Sequence, residues 1–301
     1  TEKFYYSDPL AATIGALNFA TAENQPDRLR DIIFIKDALV LGGAETVEVW
    51  PNVPDDVLPF QPLEGAVWKV GVKNTGAMCN YGTTFAVVTS NNQIVLGDQD
   101  GVISNAGLEA EIEASVNAYL FTFLIDGSEF LALRLDSGVW VFNRRSGAFS
   151  TFETYGLDDW TPSCFVSGVF GSSVDGKTYT FSGHVDEGGV LERRFRAGFP
   201  VNGGAVTIDN IMVRCNTGGT TYLSGDYTDP DIEMRLSYDG GKTWEEWLGN
   251  TLGQQGGYGL KVMWSGLGIA YNPGLLAEFR VTAPVDFRVS DVLINEPWGA
   301  M

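Results

Sequence analysis

Any Ser-His-Asp or Cys-His chemistry in this chain must run through His184, the single histidine, because those mechanisms need an imidazole to carry the proton. It lies in Ser182-Gly183-His184-Val185-Asp186-Glu187-Gly188-Gly189, a turn-like run, and no G-x-S-x-G nucleophile turn occurs. A solvated loop histidine is the expected reading. Zinc would have to use Cys79, Cys164 and Cys215 with His184, yet their order holds no C-x2-C pair to grip a tetrahedral ion. The cysteines are read as reduced, buried thiols with no disulfide framework. Asp98-Gln99-Asp100-Gly101 and Asp226-Tyr227-Thr228-Asp229-Pro230-Asp231-Ile232-Glu233 offer oxygens to calcium, but neither completes a D-x-[DN]-x-[DN]-G-x5-E loop. No G-x-x-x-x-G-K-[ST] phosphate loop is present. No catalytic residue, metal or cofactor is expected.

The sharpest motif is Ser237-Tyr238-Asp239-Gly240-Gly241-Lys242-Thr243-Trp244, a complete Asp-box, S-x-D-x-G-x-T-W. Asp239 is expected to accept hydrogen bonds from turn amides, with Gly241 at positive φ and Trp244 folding back over the hairpin as a small core. A degenerate copy runs Ser173-Val174-Asp175-Gly176-Lys177-Thr178-Tyr179. Both read as folding devices. Asp-boxes recur in sialidase-type propellers, which carry several of them with a central Arg triad and a Tyr/Glu pair. Here one full box stands apart from the repeats described next, and the arginines show no triad spacing. A sialidase-like carbohydrate-active propeller is therefore the alternative function, and a generic β-propeller interaction module is a third.

The elements that hold these turns repeat. Apolar strands begin at Val47, Ile94, Trp140 and Tyr179, a period of about 40–50 residues that suits propeller blades. Between them lie strand-turn-strand patterns, such as Ile32–Ile35 with Ala38–Leu41 and Leu120–Ile125 with Phe130–Leu135, joined by Lys36-Asp37 and Asp126-Gly127. A β-sandwich or meander is the alternative use of the same strands. One helix is expected, Ala106–Ala118, with Asn105 as N-cap and a stripe of Leu108, Ile112 and Val116. The expected organisation is an irregular segment at 1–29, propeller-type blades at 30–204 and a second antiparallel β-domain with the Asp-box hairpin at 205–301. The fold class is all-β.

Charge excludes a nucleic-acid gripper: 38 acidic against 19 basic residues leave −19, and phosphate binding needs a basic face. The longest apolar run, Ala118–Ile125 apart from Thr122, is far short of a spanning helix, which needs about 20 residues. No membrane association is expected. The opening Thr1-Glu2-Lys3-Phe4-Tyr5-Tyr6 has no basic-then-apolar leader, and the lack of an initiator Met suggests a piece of a longer chain.

Two stretches carry a family resemblance. Ser7-Asp8-Pro9 is followed by Leu17-Asn18-Phe19-Ala20-Thr21-Ala22-Glu23-Asn24-Gln25-Pro26-Asp27, by Glu48-Val49-Trp50 and by Phe60-Gln61-Pro62-Leu63-Glu64-Gly65-Ala66. Towards the end come Met234–Trp244, Val262-Met263-Trp264-Ser265-Gly266-Leu267-Gly268 and Phe279-Arg280-Val281-Thr282-Ala283-Pro284-Val285. In this order they resemble the tail nozzle, or packaged-DNA stabilisation protein, of short-tailed double-stranded-DNA phages. The resemblance implies a non-enzymatic structural protein of the virion tail, made in the host cytoplasm. It implies a homo-oligomeric ring of six copies below a portal adaptor, closed by a tail needle or fibre, that retains packaged DNA and passes it outward without specific binding. A DNA conduit should repel the duplex, so Asp55, Asp56, Asp98, Asp100, Asp158 and Asp159 are candidate channel-facing acids.

Overall fold

In the computed structural model the described residues are 3–7, 12–21, 27–53, 60–63, 65–97, 101–181, 184–186, 189–219 and 227–296. The chain divides into two compact units, Thr1–Phe181 and Ser182–Met301.

The first unit is a run of antiparallel sheets in which spatial order repeats chain order. The first blade is Leu29–Ile35, Ala38–Gly43, Val47–Pro51 and Val67–Trp68, and the second is Met78–Tyr81, Thr84–Val88 and Ile94–Leu96. The third is Tyr119–Ile125, Ser128–Leu135, Gly138–Asn143 and Ala148–Phe152, and the fourth is Cys164–Val166, Val169–Gly171 and Thr178–Tyr179. The four sequence markers at 47, 94, 140 and 179 all fall in the third strand of their blade, so the repeat is in phase. First strands of successive blades lie side by side, which is the packing of propeller blades about an axis. The tight turns follow from local chemistry. Asp126 and Gly127 both sit at positive φ, 49° and 75°, the two-residue geometry whose twist matches its strands.

Apolar strand faces meet between blades. Val40, Val87, Leu96, Leu133 and Phe142 share one core with the helix residues Leu108 and Ile112. Phe123, Trp160 and Phe170 centre a second, aromatic core between the third and fourth blades. The helix spans Ala106–Ala114, and Asn105 caps it by accepting from the Leu108 amide at 3.0 Å. It ends short of the expected Ala118. The Ser115 hydroxyl donates to the Asn117 carbonyl at 2.8 Å and accepts from the Asp136 amide at 2.9 Å, offering the backbone a partner outside the helix. Val116 therefore leaves the expected stripe and is exposed.

Separate sheets share no ladder, so polar side chains clasp them. Asp31 in the first blade accepts from the Gly76 amide at 2.9 Å and the Met78 amide at 3.2 Å, and Asn80 donates to the Phe34 carbonyl at 2.9 Å. Asn74 binds both backbone groups of Ala118, at 3.0 and 2.9 Å, leading into the third blade. Arg134 in the third blade donates to the carbonyls of Trp160 and Pro162, the approach to the fourth. Ahead of the first blade, in the segment read as irregular, Lys3–Tyr5 pairs with Phe19–Thr21, and Phe4 meets Trp50 edge-on at 5.6 Å. Asp27 accepts the amides of Ala44 and Thr46, each at 2.8 Å, and of Glu45 at 2.6 Å. A side chain at Gly43 would come within 2.1 Å of that carboxylate, which is why glycine stands there.

The second unit holds a four-stranded sheet in the order Arg193–Pro200, Gly274–Val281, Asp231–Ser237, Leu248–Thr251. It also holds a three-stranded sheet, Val262–Ser265, Asn210–Cys215, Val289–Ile294, and the pairs Ala205–Thr207 with Ile269–Tyr271 and Val185–Asp186 with Gly189–Val190. Ile211, Met234, Leu236, Phe279 and Val281 build its core. The domain boundary expected at 204–205 lies inside this unit, because Arg193–Pro200 pairs residue for residue with Gly274–Val281, a partner about 80 positions away that no local pattern reveals. The reading of three buried thiols also needs correction. Cys164 is exposed, while Cys79 and Cys215 are half-buried. Burial pushes the Cys215 thiol up to about 11 and raises that of Cys79 further, with help from Glu129 and Asp31.

Asp27 yields a test. Burial opposes its ionisation, but the Glu45, Thr46 and Ala44 amides overcome this and hold the carboxyl below its ordinary 3.8. Its contribution is present above the unfolded value and is lost as pH falls through the folded one. Asp27→Ala orphans three amides and should destabilise the first unit by about 2–3 kcal/mol at neutral pH, with a smaller loss near pH 3; urea melts at both pH values read the difference.

Candidate functional site

The first strands of all four blades converge on one cavity of about 500 Å3. Ile33 and Phe34 come from the first blade, Met78, Cys79 and Asn80 from the second, Leu120 to Thr122 from the third, and Cys164 and Phe165 from the fourth. The lining is apolar and uncharged, with Asn80, Thr122 and the two thiols as its polar groups. Strand alternation explains this: along each inner strand one side chain in two turns to the axis. The volume is that of a small-molecule site. It is too small to pass duplex DNA, whose major groove alone is about 12 Å wide and 8.5 Å deep.

The Asp-box of the second unit builds its turn as the motif demands. Asp239 accepts the amides of Lys242 at 2.9 Å and Thr243 at 3.0 Å, the Thr243 hydroxyl at 2.7 Å and the Ser237 hydroxyl at 2.8 Å. The Ser237 oxygen in turn accepts the Gly241 amide at 2.8 Å. Gly240 and Gly241 sit at φ 77° and 91°. The Thr243 amide and hydroxyl, then Ser237 and Lys242, hold the Asp239 carboxyl far below its ordinary value. The degenerate copy works similarly: the Tyr179 hydroxyl takes the place of the missing partners and, with the Lys177 amide, holds Asp175 at about 2.

Trp244 turns back toward Gly241, its ring 3.8 Å from where a Cβ at that glycine would stand, but its other close neighbours are cations. It stands half-buried between two guanidinium groups, Arg196 at 5.2 Å and Arg235 at 4.8 Å from its ring centroid. Arg235 also faces Trp247 at 4.6 Å, and Arg280 faces Trp247 at 4.1 Å. The result is a ladder, Arg196, Trp244, Arg235, Trp247, Arg280, laid across one face of the four-stranded sheet. Strand register fixes it: Arg196 and Arg235 both lie opposite Glu278, and Arg280 lies opposite Glu233. Glu278 is buried, accepting from Arg196 at 2.8 Å and Arg235 at 2.5 Å, while Glu233 accepts from Arg280 at 2.5 Å. Burial would raise the Glu278 carboxyl, but the hydrogen bonds and charges of Arg196 and Arg235 override it and keep the carboxyl below 4.5.

Three arginines on one face were not foreseen. Their positions in sequence, 196, 235 and 280, carry no common spacing, and only strand pairing assembles them. Glu278 and Glu233 offset two of their three charges, Trp244 and Trp247 cover the faces of Arg235 and Arg280, and Arg196 stays the most exposed of the three, at 61%.

Of the six candidate acids only Asp158 and Asp159 are among the described residues. Asp55, Asp56, Asp98 and Asp100 lie outside the described residues, as does part of the acidic run at 226–233. Asp158 is exposed. Asp159 is bound to Arg134 at 2.9 Å, so its charge serves the clasp between the third and fourth blades. Within the described part of the 226–233 run, Asp229 accepts from the Thr251 hydroxyl. His184 is in a short hairpin, its carbonyl accepting the Leu191 amide at 3.3 Å. No group of three or more His, Cys, Asp or Glu side chains arranged for a metal occurs among the described residues.

Two variants separate the ladder from a passive surface. Glu278→Gln leaves two guanidinium groups without their counter-charge and should cost about 2 kcal/mol, below the usual 3–5 for a broken buried pair because Arg196 is 61% exposed. Because the folded carboxyl is depressed, that stabilisation exists above pH 4.5 and fades as pH falls through the folded value, so wild type and variant should converge in acid melts. Trp244→Ala removes two cation–π contacts and should cost about 1–2 kcal/mol, less than the ~3 expected for loss of a buried aromatic; calorimetry distinguishes the two.

Against known proteins, residues 7–152 match the family model Phage_stabilise, described as bacteriophage P22 Gp10, beta-propeller. The match ends at Phe152, the last residue of the third blade. No curated protein matches. Among solved structures, an exo-beta-1,3-galactanase from Phanerochaete chrysosporium with galactose is similar over 87% of this chain and 80% of that one, at 12% identity and a TM-score of 0.28. A superposition so loose bears on neither fold nor chemistry. The blades, their phase and the matched segment agree: residues 7–152, just under half of the chain, are similar to the phage-stabilisation family of the P22 Gp10 β-propeller.

Proposed function

We propose that this chain is a subunit of a phage tail nozzle, a ring that forms the exit conduit for double-stranded DNA and helps retain the packaged genome. The observation that carries the reading is the family match across the first three blades. Two physical features support it. The blade axis is too narrow and apolar for DNA, so the duplex would run through a lumen between copies. A net charge of −19 suits a wall that must not hold phosphates, because every fixed cation against the duplex adds a salt-dependent attraction. Identical copies in a ring meet head to tail and close by rotation, and six copies is the number proposed. A portal adaptor above and a needle or fibre protein below are the proposed neighbours in the virion, and the role is structural, without catalysis. Asp158 is proposed to face the lumen, with Asp55, Asp56, Asp98 and Asp100; Asp159 adds no free charge there while Arg134 holds it. The blades are proposed to end with the first unit, and the Asp-box domain to begin with the second.

Imaging of assembled particles tests this reading: density for the chain should form a cyclic, sixfold ring on the tail axis, and a twofold dimer or a location away from the tail overturns it. Duplex DNA should not bind the purified chain measurably at low salt, where electrostatic attraction is strongest. Micromolar affinity would overturn the repelling wall.

A further inference from the structure

The two edges of the four-stranded sheet in the second unit are built differently. Leu248–Thr251 is four residues long, and side chains from outside the sheet reach it: the Trp264 indole donates to the Leu248 carbonyl at 3.0 Å. Its Asn250 side chain donates to the Met263 carbonyl at 2.9 Å. That edge is short and covered, as edges usually are. Arg193–Pro200 is eight residues long and pairs with Gly274–Val281 without a register shift. Among the described residues no strand lies on its outer side. The usual defences are missing: it has no lysine, no bulge, and a proline only at its last position.

What could cover this edge is set by its charge. Arg193, Arg194 and Arg196 fall within four residues of a chain that carries −19. Arg194 and Arg196 keep 51% and 61% of their side chains exposed, although Glu192 and Glu278 hold them against the sheet. Arg196 is also the outermost rung of the ladder, with Trp244 the one ring it stacks on among the described residues. Two copies of this strand side by side would set guanidinium groups near one another, which cross-strand pairing penalises.

We propose that Arg193–Pro200 is a docking edge that takes an extended, acidic segment of another protein as a fifth strand, with an aromatic side chain of that segment stacked on Arg196. Backbone hydrogen bonds supply the affinity and alternate side chains the selectivity. The acidic residues of the segment face Arg194 and Arg196, and its aromatic residue extends the ladder by one rung.

The probe is a capped octapeptide, Thr-Glu-Thr-Phe-Thr-Glu-Thr-Thr, added to the whole purified chain. Hydrogen exchange should show new protection at alternate amides within 193–200, with binding by calorimetry. A peptide N-methylated at alternate residues should lose binding, since it cannot donate to the edge. Arg194→Glu should weaken binding about tenfold with the melting temperature unchanged. Absence of protection at about 1 mM peptide, a level that detects even weak affinity, or equal binding of the methylated peptide, overturns strand addition. Self-association through this edge, blocked by the peptide, overturns the assignment of a foreign partner.

Discussion

Blades of a propeller do not share a hydrogen-bond ladder, and the whole first unit depends on how that gap is bridged. Four sheets end in their own turns, so each blade must be tied to the next by apolar faces and by side chains that reach across to backbone. Asp31, Asn74, Asn80 and Arg134 do the second job. Each spends its polar atoms on amides or carbonyls of the neighbouring blade, groups that no strand partner satisfies. The apolar core supplies most of the free energy, but it is non-directional; the clasps fix which blade lies beside which. The shared cavity is the residue of this arrangement, the space left where four inner strands approach an axis without pairing.

Blade phase was legible because hairpins are local. Strand periodicity, the Asp126-Gly127 turn and the interval of about 40–50 residues concern residues close in sequence, and each appeared as read. The Asp-box was legible for the same reason, since Ser237, Asp239 and Thr243 satisfy one another within a single turn. The cations around Trp244 were not legible, because Arg196 and Arg235 reach it from one distant strand and one adjacent strand. The boundary at 204–205 failed likewise: Arg193–Pro200 looks like a continuation of the blades until Gly274–Val281 claims it. Asp159 reads in sequence as a candidate channel-facing acid, and nothing local shows that Arg134 reaches it across 25 positions.

Charge is distributed to two ends in this chain. Its excess is acidic, and Asp239, Asp175 and Asp27 show that several carboxylates are structural, saturated by turn amides and hydroxyls. Five of the twelve arginines, in contrast, lie on one sheet of the second unit, and three of them, Arg196, Arg235 and Arg280, each face a glutamate and an indole. A protein can thus be strongly anionic overall and still set a few of its cations in one ordered array.

That array has a mechanical meaning. The rungs run crosswise to the strands, so a pull that slid one strand past the next would drag guanidinium groups off indole faces and away from Glu278 at the same time. A cation is attracted anywhere within about 6 Å of a ring centroid, whereas a hydrogen bond needs a donor–acceptor distance near ~3 Å and an angle above about 120°. The sheet therefore resists shear with a stiff component, its backbone ladder, and a compliant one, its cation–aromatic stack. Small displacements are resisted and recovered before strand register is lost.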